Sequence, residues 1–144
     1  MAVRQLQLDN VVSDAQLAEY NEKGFIVVEA IYSEDDIARM REALDGLIES
    51  ARGLTEHTSV IDLEPTHTPE KPRVRRIKEP FKNHPVFNEM ARHPSLIQAL
   101  IRLIGPDLRL HGSKINLKAA TYGSPVEWHQ DWAFYPHTND DVLA

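Results

Sequence analysis

Two clusters of side chains in the last third of the chain have the types and spacing to do chemistry. The first is Trp128-His129-Gln130-Asp131-Trp132, where an imidazole and a carboxylate stand two residues apart. On a strand, residues i and i+2 point to the same side, so His129 and Asp131 would be presented together. They supply two of the three protein ligands of a 2-His-1-carboxylate facial triad, which holds Fe(II) on one face and leaves the opposite positions open for a chelating molecule and dioxygen. The bare tripeptide is short enough to arise by chance in a chain with seven histidines, and flanking tryptophans serve cores as readily as sites. The second cluster is Lys114, Asn116 and Lys118, alternating with Ile115 and Leu117. As a strand this puts two ammonium groups and an amide on one face, which an apolar core does not accept without partners. That face is either simply solvated or lines a cavity that attracts an anion through lysine point charges.

The elements that must position these groups follow from periodicity. Residues 12–23 read as a short helix with Ser13 as N-cap and Gly24 as its left-handed stop. Phe25-Ile26-Val27-Val28 reads as a buried strand. Ser33 and Asp36 form a capping arrangement with Glu34 and Asp35 in the first turn. Behind it Ile37, Met40, Leu44, Leu47, Ile48 and Ala51 make one apolar helical face that ends near Gly53. Residues 53–72 read as a surface loop around a short extended piece, Val60-Ile61-Asp62-Leu63, and residues 73–77 as a strand. Pro85 and Ser95 open two more helices. The second is expected to bury Leu96, Ile97, Leu100, Ile101 and Ile104 before Gly105-Pro106. From Asp107 the period becomes two: Leu108 and Leu110 alternate with Arg109 and His111, residues 114–118 follow, Tyr122-Gly123-Ser124-Pro125 turns, and residues 126–133 form the next strand. The organisation is α+β within one domain, helical or mixed over 1–106 with an antiparallel sheet beginning in 107–144.

Composition narrows the classes of function. The chain has 144 residues, enough for one domain with a sizeable core, and its apolar and charged fractions of 42% and 26% are those of an ordinary globular protein. A net charge of −6 argues against nucleic acid as the main partner, although Arg73, Arg75, Arg76 and Lys78 make a local basic stretch. With no cysteine, thiolate metal sites, disulfides and cysteine nucleophiles are excluded. No apolar window has the length of a membrane span and the N-terminus lacks a signal-peptide pattern, so the expectation is a cytoplasmic protein with no membrane partner.

The string Ile115-Asn116-Leu117-Lys118, a Gly/Ser/Pro turn, and Trp128-His129-Gln130-Asp131-Trp132-Ala133-Phe134-Tyr135-Pro136 resembles the phytanoyl-CoA dioxygenase family, which includes ectoine hydroxylases. The N-terminal pattern of a helix, Lys23-Gly24-Phe25-Ile26-Val27-Val28 and Ser33-Glu34-Asp35-Asp36 opening a long helix supports it, so the resemblance spans nearly the whole chain. It implies helices packed on a double-stranded β-helix (jelly-roll) core. It also implies a non-haem Fe(II) and 2-oxoglutarate-dependent dioxygenase that hydroxylates a small organic molecule with dioxygen, yielding succinate and CO2. By the resemblance, His129 and Asp131 match the first two iron ligands and Lys118 a lysine that contacts 2-oxoglutarate. Lys114 matches a cosubstrate-contacting position where the family's residue type differs. Asn116, and Lys78 in the upstream basic stretch, are further cosubstrate candidates.

The family's distal histidine, and the arginine beyond it that pairs with 2-oxoglutarate, have no counterpart in the thirteen residues after Asp131. Asp141-Val142-Leu143-Ala144 reads as a strand being entered, so the expectation is the N-terminal part of a longer oxygenase, inactive alone. Two alternatives stay open. One is a non-catalytic module that binds a small anion or a partner chain through an open sheet edge. The other is a cupin-like centre completed by His111 or His137. His111 shares the face of Lys114, and His137 falls where the family edges its substrate entrance. His57, His67, His84 and His93 lie in loops or beside prolines and read as exposed.

Overall fold

The computed structural model describes residues 11–121, 123–134 and 142–144. Helix α1, Asp14–Lys23, starts at a capping box: Gln16 N–H donates to Ser13 Oγ at 3.2 Å while Ser13 N–H donates to Gln16 Oε1 at 3.0 Å. Gly24 ends it with φ 79°, its N–H donating to the Tyr20 carbonyl. Helix α2, Glu34–Glu49, repeats the device, with Asp36 N–H donating to Ser33 Oγ at 3.1 Å and Ser33 N–H donating to Asp36 Oδ2 at 3.0 Å. It stops four residues before Gly53, and a turn completes the run to that glycine (φ 80°), whose N–H donates to the Pro69 carbonyl.

Strands β1 (Ile61–Leu63), β2 (Val74–Lys78) and β3 (Lys114–Asn116) form an antiparallel sheet in the order β1-β2-β3. Ile61 pairs with Ile77 and Ile77 with Ile115, so three isoleucines line up across one face. That face packs on α2: Ala51, Ile61, Leu63, Val74 and Ile77 form the buried cluster, with Leu44, Leu47, Ile48, Ile115 and Leu117 against it. The amphipathic stripe of α2 and the period-two pattern of the strands meet as one core. A register shift between Asp62 and Leu63 moves the next β1 pairing to Val74 and leaves Arg75 bulged.

Three short helices bridge β2 and β3: α3 (Pro80–Asn83), α4 (Pro85–Met90) and α5 (Pro94–Ile104). Each begins with proline, whose missing N–H costs nothing at the first helical position. His84 caps α4 by accepting Val86 N–H, and α5 starts one residue earlier than Ser95, behind His93. Arg39 of α2 pairs with Glu89 of α4, and Arg102 of α5 with Asp14 of α1.

Several expectations from sequence need correction. Phe25-Ile26-Val27-Val28 is not a strand: Phe25 and Val27 are 63% and 72% exposed. Residues 108–111 and 126–133 are likewise not strands. β-branched composition favours an extended backbone, but a strand exists only where a neighbour completes its ladder, and none of the described residues does so for these segments. Two of the three strands precede residue 107, so the sheet is not confined to 107–144. On α5 only Ala99 is fully buried, with Leu96, Ile97, Leu100, Ile101 and Ile104 half-covered.

His67, His84 and His93 are half-buried rather than exposed. The His67 Nδ1 accepts Arg73 N–H at 3.0 Å and its Nε2 donates to the Leu54 carbonyl, bracing the 54–73 loop. His57, which is exposed, accepts Leu63 N–H at 2.9 Å.

Replacing Ile77, which is wholly buried, with alanine should lower stability by about 2–5 kcal/mol in urea unfolding, through lost transfer energy and a cavity between sheet and α2. The Asp36 carboxyl is held below its usual value first by the Ser33 hydroxyl and then by the Ser33 N–H, with His93 and Arg39 adding to this. A depressed carboxyl pKa contributes stability above the unfolded value that is lost as pH falls through the folded one. Thermal melts below about pH 4 should therefore show a shallower acid loss in Asp36→Asn than in the wild type.

Candidate functional site

With Ile61, Ile77 and Ile115 facing α2, the alternate residues of each strand occupy the opposite face of the sheet. Asp62 pairs in register with Arg76, Arg76 with Asn116, and Lys78 with Lys114. The side chains form a short network: Lys78 Nζ donates to Asp62 Oδ1 at 2.9 Å and to the Thr58 carbonyl at 3.0 Å, and Arg76 Nε donates to Asn116 Oδ1 at 3.1 Å. Arg76 also approaches Asp62 at 3.8 Å. Asp62 thus offsets the repulsion that Lys78, Arg76 and Lys114 would otherwise impose on neighbouring strands.

Lys114, Asn116 and Lys118 are exposed, and Ile115 and Leu117 between them are partly covered, as alternation predicts. Of the sequence candidates on this face, Lys78 and Asn116 are engaged within the network. Among the described residues no ion pair engages Lys114 or Lys118, so these two carry its open positive charge.

His129 and Asp131 do come together, by a different route from strand pairing. The chain runs extended to Gln130 (φ −104°, ψ 128°) and turns into a single 3₁₀ turn, Asp131–Ala133. This leaves His129 Nε2 3.3 Å from Asp131 Oδ1. The other ring nitrogen, Nδ1, lies 2.7 Å from the Glu127 carbonyl. A carbonyl only accepts, so Nδ1 carries a proton, and Nε2 is the ring nitrogen that faces Asp131. An imidazole oriented by a backbone carbonyl, with its free nitrogen beside a carboxylate, is the donor arrangement a divalent cation requires. The Phe134 ring meets His129 edge-on at 5.5 Å and restricts its rotation.

The pair fits part of a metal ligand set. Among the described residues no third His, Cys, Asp or Glu joins it. His111 is exposed and lies near Glu79, whose carboxyl is held below its usual range first by the Lys82 hydrogen bond and then by the Ser113 N–H, with the Lys82 and His111 charges adding least; His137 lies outside the described residues.

One residue that sequence reasoning passed over is Glu64, 3% exposed at the end of β1. Its carboxylate accepts the Ser124 N–H at 3.1 Å and the Ser124 hydroxyl at 2.5 Å. The Ser124 hydroxyl is the main cause that holds this carboxyl below its usual range despite burial, with the Arg75 charge assisting. Nothing in Leu63-Glu64-Pro65 announces a buried carboxylate, because its donors lie sixty residues away.

Residues 20–144 match the phytanoyl-CoA dioxygenase (PhyH) family, and the chain belongs to that family. It is 34% identical over 129 residues to a Stutzerimonas stutzeri protein named "Probable alpha-ketoglutarate-dependent hypophosphite dioxygenase", covering 90% of this chain and 45% of that one. It is 28% identical over 134 residues to the ectoine dioxygenase of Sphingopyxis alaskensis, covering 93% of this chain and 42% of that one. The crystal structure of EctD from S. alaskensis with bound Fe superposes with a TM-score of 0.74 at 28% identity, over 88% of this chain and 43% of that one. The chain therefore spans less than half the length of these relatives.

The His129 geometry is directly observable. In ¹⁵N-resolved histidine spectra taken where the ring is neutral, His129 should be the Nδ1–H tautomer, and a predominantly Nε2–H ring would contradict its bond to the Glu127 carbonyl.

Proposed function

We propose that this chain is the N-terminal part of a non-haem Fe(II) and 2-oxoglutarate-dependent dioxygenase that hydroxylates a small molecule, and that β1–β3 belong to a jelly-roll core. The observation that carries the reading is the His129–Asp131 pair, at 3.3 Å with the imidazole already oriented. Family membership over residues 20–144 and the likeness to an iron-bound EctD support it.

His129 through Nε2 and Asp131 through its carboxylate would hold the metal, and Asp131 would offset part of its charge. A further histidine would complete the triad from outside the described set. Iron with 2-oxoglutarate bound supplies the oxidising power, coupling decarboxylation to succinate and CO2 with transfer of an oxygen atom from dioxygen to the substrate. The protein's own work is placement and charge. Lys118, and beside it Lys114, attract the carboxylates of 2-oxoglutarate to the polar face of the sheet as point charges. Asn116 and Lys78, bound to Arg76 and Asp62, act on the same cosubstrate by keeping that face ordered and its charge partly balanced. The exposed aromatics Trp128, Trp132 and Phe134 flank the ligand pair and would exclude water once covered.

Anaerobic Fe(II) calorimetry on this chain tests the ligand assignment. Weak binding is expected, abolished in both His129→Ala and Asp131→Ala and strengthened by 2-oxoglutarate. That strengthening should fall roughly five- to tenfold in Lys118→Ala. In a longer protein that adds the distal histidine, His129→Ala should stop succinate release from 2-oxoglutarate; equal turnover by that variant would refute the role of His129.

A further inference from the structure

A buried carboxylate persists only where donors replace the water it has lost. Glu64 is the one charged side chain in the buried set among the described residues, and both donors that reach its oxygens belong to Ser124. Ser124 lies five residues before His129. The two ends of this contact differ in kind. On the Glu64 side the backbone is locked: its N–H donates to the Arg73 carbonyl at 2.8 Å and its carbonyl accepts His67 N–H at 2.9 Å, directly after the buried Leu63 of β1. On the Ser124 side the chain has no helix or strand from 123 to 130. The other backbone hydrogen bonds described there are local, Ala133 N–H to Gln130 and Phe134 N–H to Asp131.

The turn leading into Ser124 is closed tightly enough to pass the restraint on. Gly123 N–H donates to the Ala119 carbonyl at 2.9 Å, and a Cβ on Gly123 would meet that same oxygen at 2.7 Å and the Ala119 nitrogen at 2.9 Å. Only glycine allows this approach, so the direction in which the chain runs on from β3 is set just before Ser124 is gripped.

We propose that Glu64 is a positioning residue, a buried clamp on Ser124 that holds the segment bearing His129 and Asp131 against the end of the β1–β2 pair. A carboxylate suits this task because its two oxygens accept the N–H and the O–H at once. Glutamine keeps one acceptor oxygen and the shape, and alanine keeps neither. The importance of the clamp for metal binding rests on His129 and Asp131 being ligands; the clamp itself does not.

Hydrogen exchange by mass spectrometry on the whole chain, comparing wild type with Glu64→Ala, Glu64→Gln and Ser124→Ala, separates the possibilities. Glu64→Ala should raise exchange in residues 123–134 about tenfold while β1 and β2 stay within about twofold of wild type, and Glu64→Gln should recover most of the protection. Ser124→Ala, on the outer side of the contact, should reproduce the rise without disturbing the core, which keeps the test valid if Glu64→Ala unfolds. Both tryptophans of the chain, Trp128 and Trp132, lie in this segment, so faster decay of their fluorescence anisotropy is an independent readout.

Fe(II) calorimetry on the same proteins should show weaker binding in Glu64→Ala and Ser124→Ala than in wild type. Unchanged exchange in both variants, or a rise shared equally by the strands, overturns the clamp. Raised exchange with undiminished Fe(II) binding overturns its role in positioning the ligands. If no protein binds Fe(II), the ligand reading fails, and exchange and anisotropy still decide the clamp.

Discussion

The structure depends on a sheet with two unlike faces. Ile61, Ile77 and Ile115 stand in register across three strands and bury against the stripe of Leu44, Leu47 and Ile48 on α2 and Ala51 in the turn after it. Because side chains alternate along each strand, committing the isoleucines to the core commits Asp62, Arg76, Lys78, Lys114, Asn116 and Lys118 to the other side. A slip of one residue would bury four cations, so the hydrophobic register and the charged face are one constraint. The bulge at Arg75 comes where pairing with β1 jumps to Val74, keeping Leu63 and Val74 with the core.

A polar face of this kind would be an electrostatic burden if its charges were left uncompensated. Asp62 sits between Arg76 and Lys78, and Asn116 takes a hydrogen bond from Arg76, so the centre of the face is internally satisfied. The open cations lie on β3 and just beyond it, nearest in sequence to the turn that leads to His129. The result is an ordered polar floor with its open positive charge at one side.

The His129–Asp131 pair is built locally and attached remotely. His129 is oriented by the carbonyl two residues before it, and Asp131 reaches it because a 3₁₀ turn starts there. These are short-range effects that need no sheet. Their placement relative to the body is a separate matter, and Glu64 meets Ser124 across sixty residues of sequence to provide it. Loops that carry function are typically held by such contacts to a rigid frame rather than by their own secondary structure.

The Ser13 N-cap, the Ser33–Asp36 capping box, the glycine stop at Gly24, the α2 stripe and the Ile/Lys alternation on β3 were all legible from sequence, because each is decided by neighbours within four residues. The His129–Asp131 pair was legible for the same reason, although the spacing suggested a strand and the chain uses a turn. What the sequence could not decide is where extended segments find partners. Phe25-Ile26-Val27-Val28 has strand composition and remains unpaired among the described residues, whereas Ile61-Asp62-Leu63 is shorter and lies within the sheet. Nor could it show that Glu64 is buried, that Lys78 is held by Asp62, or that His67 braces a loop, since each depends on groups thirteen to sixty residues away. Local propensity and periodicity are properties of a stretch of chain; burial, ladder completion and the pairing of charges are properties of what folding brings beside it.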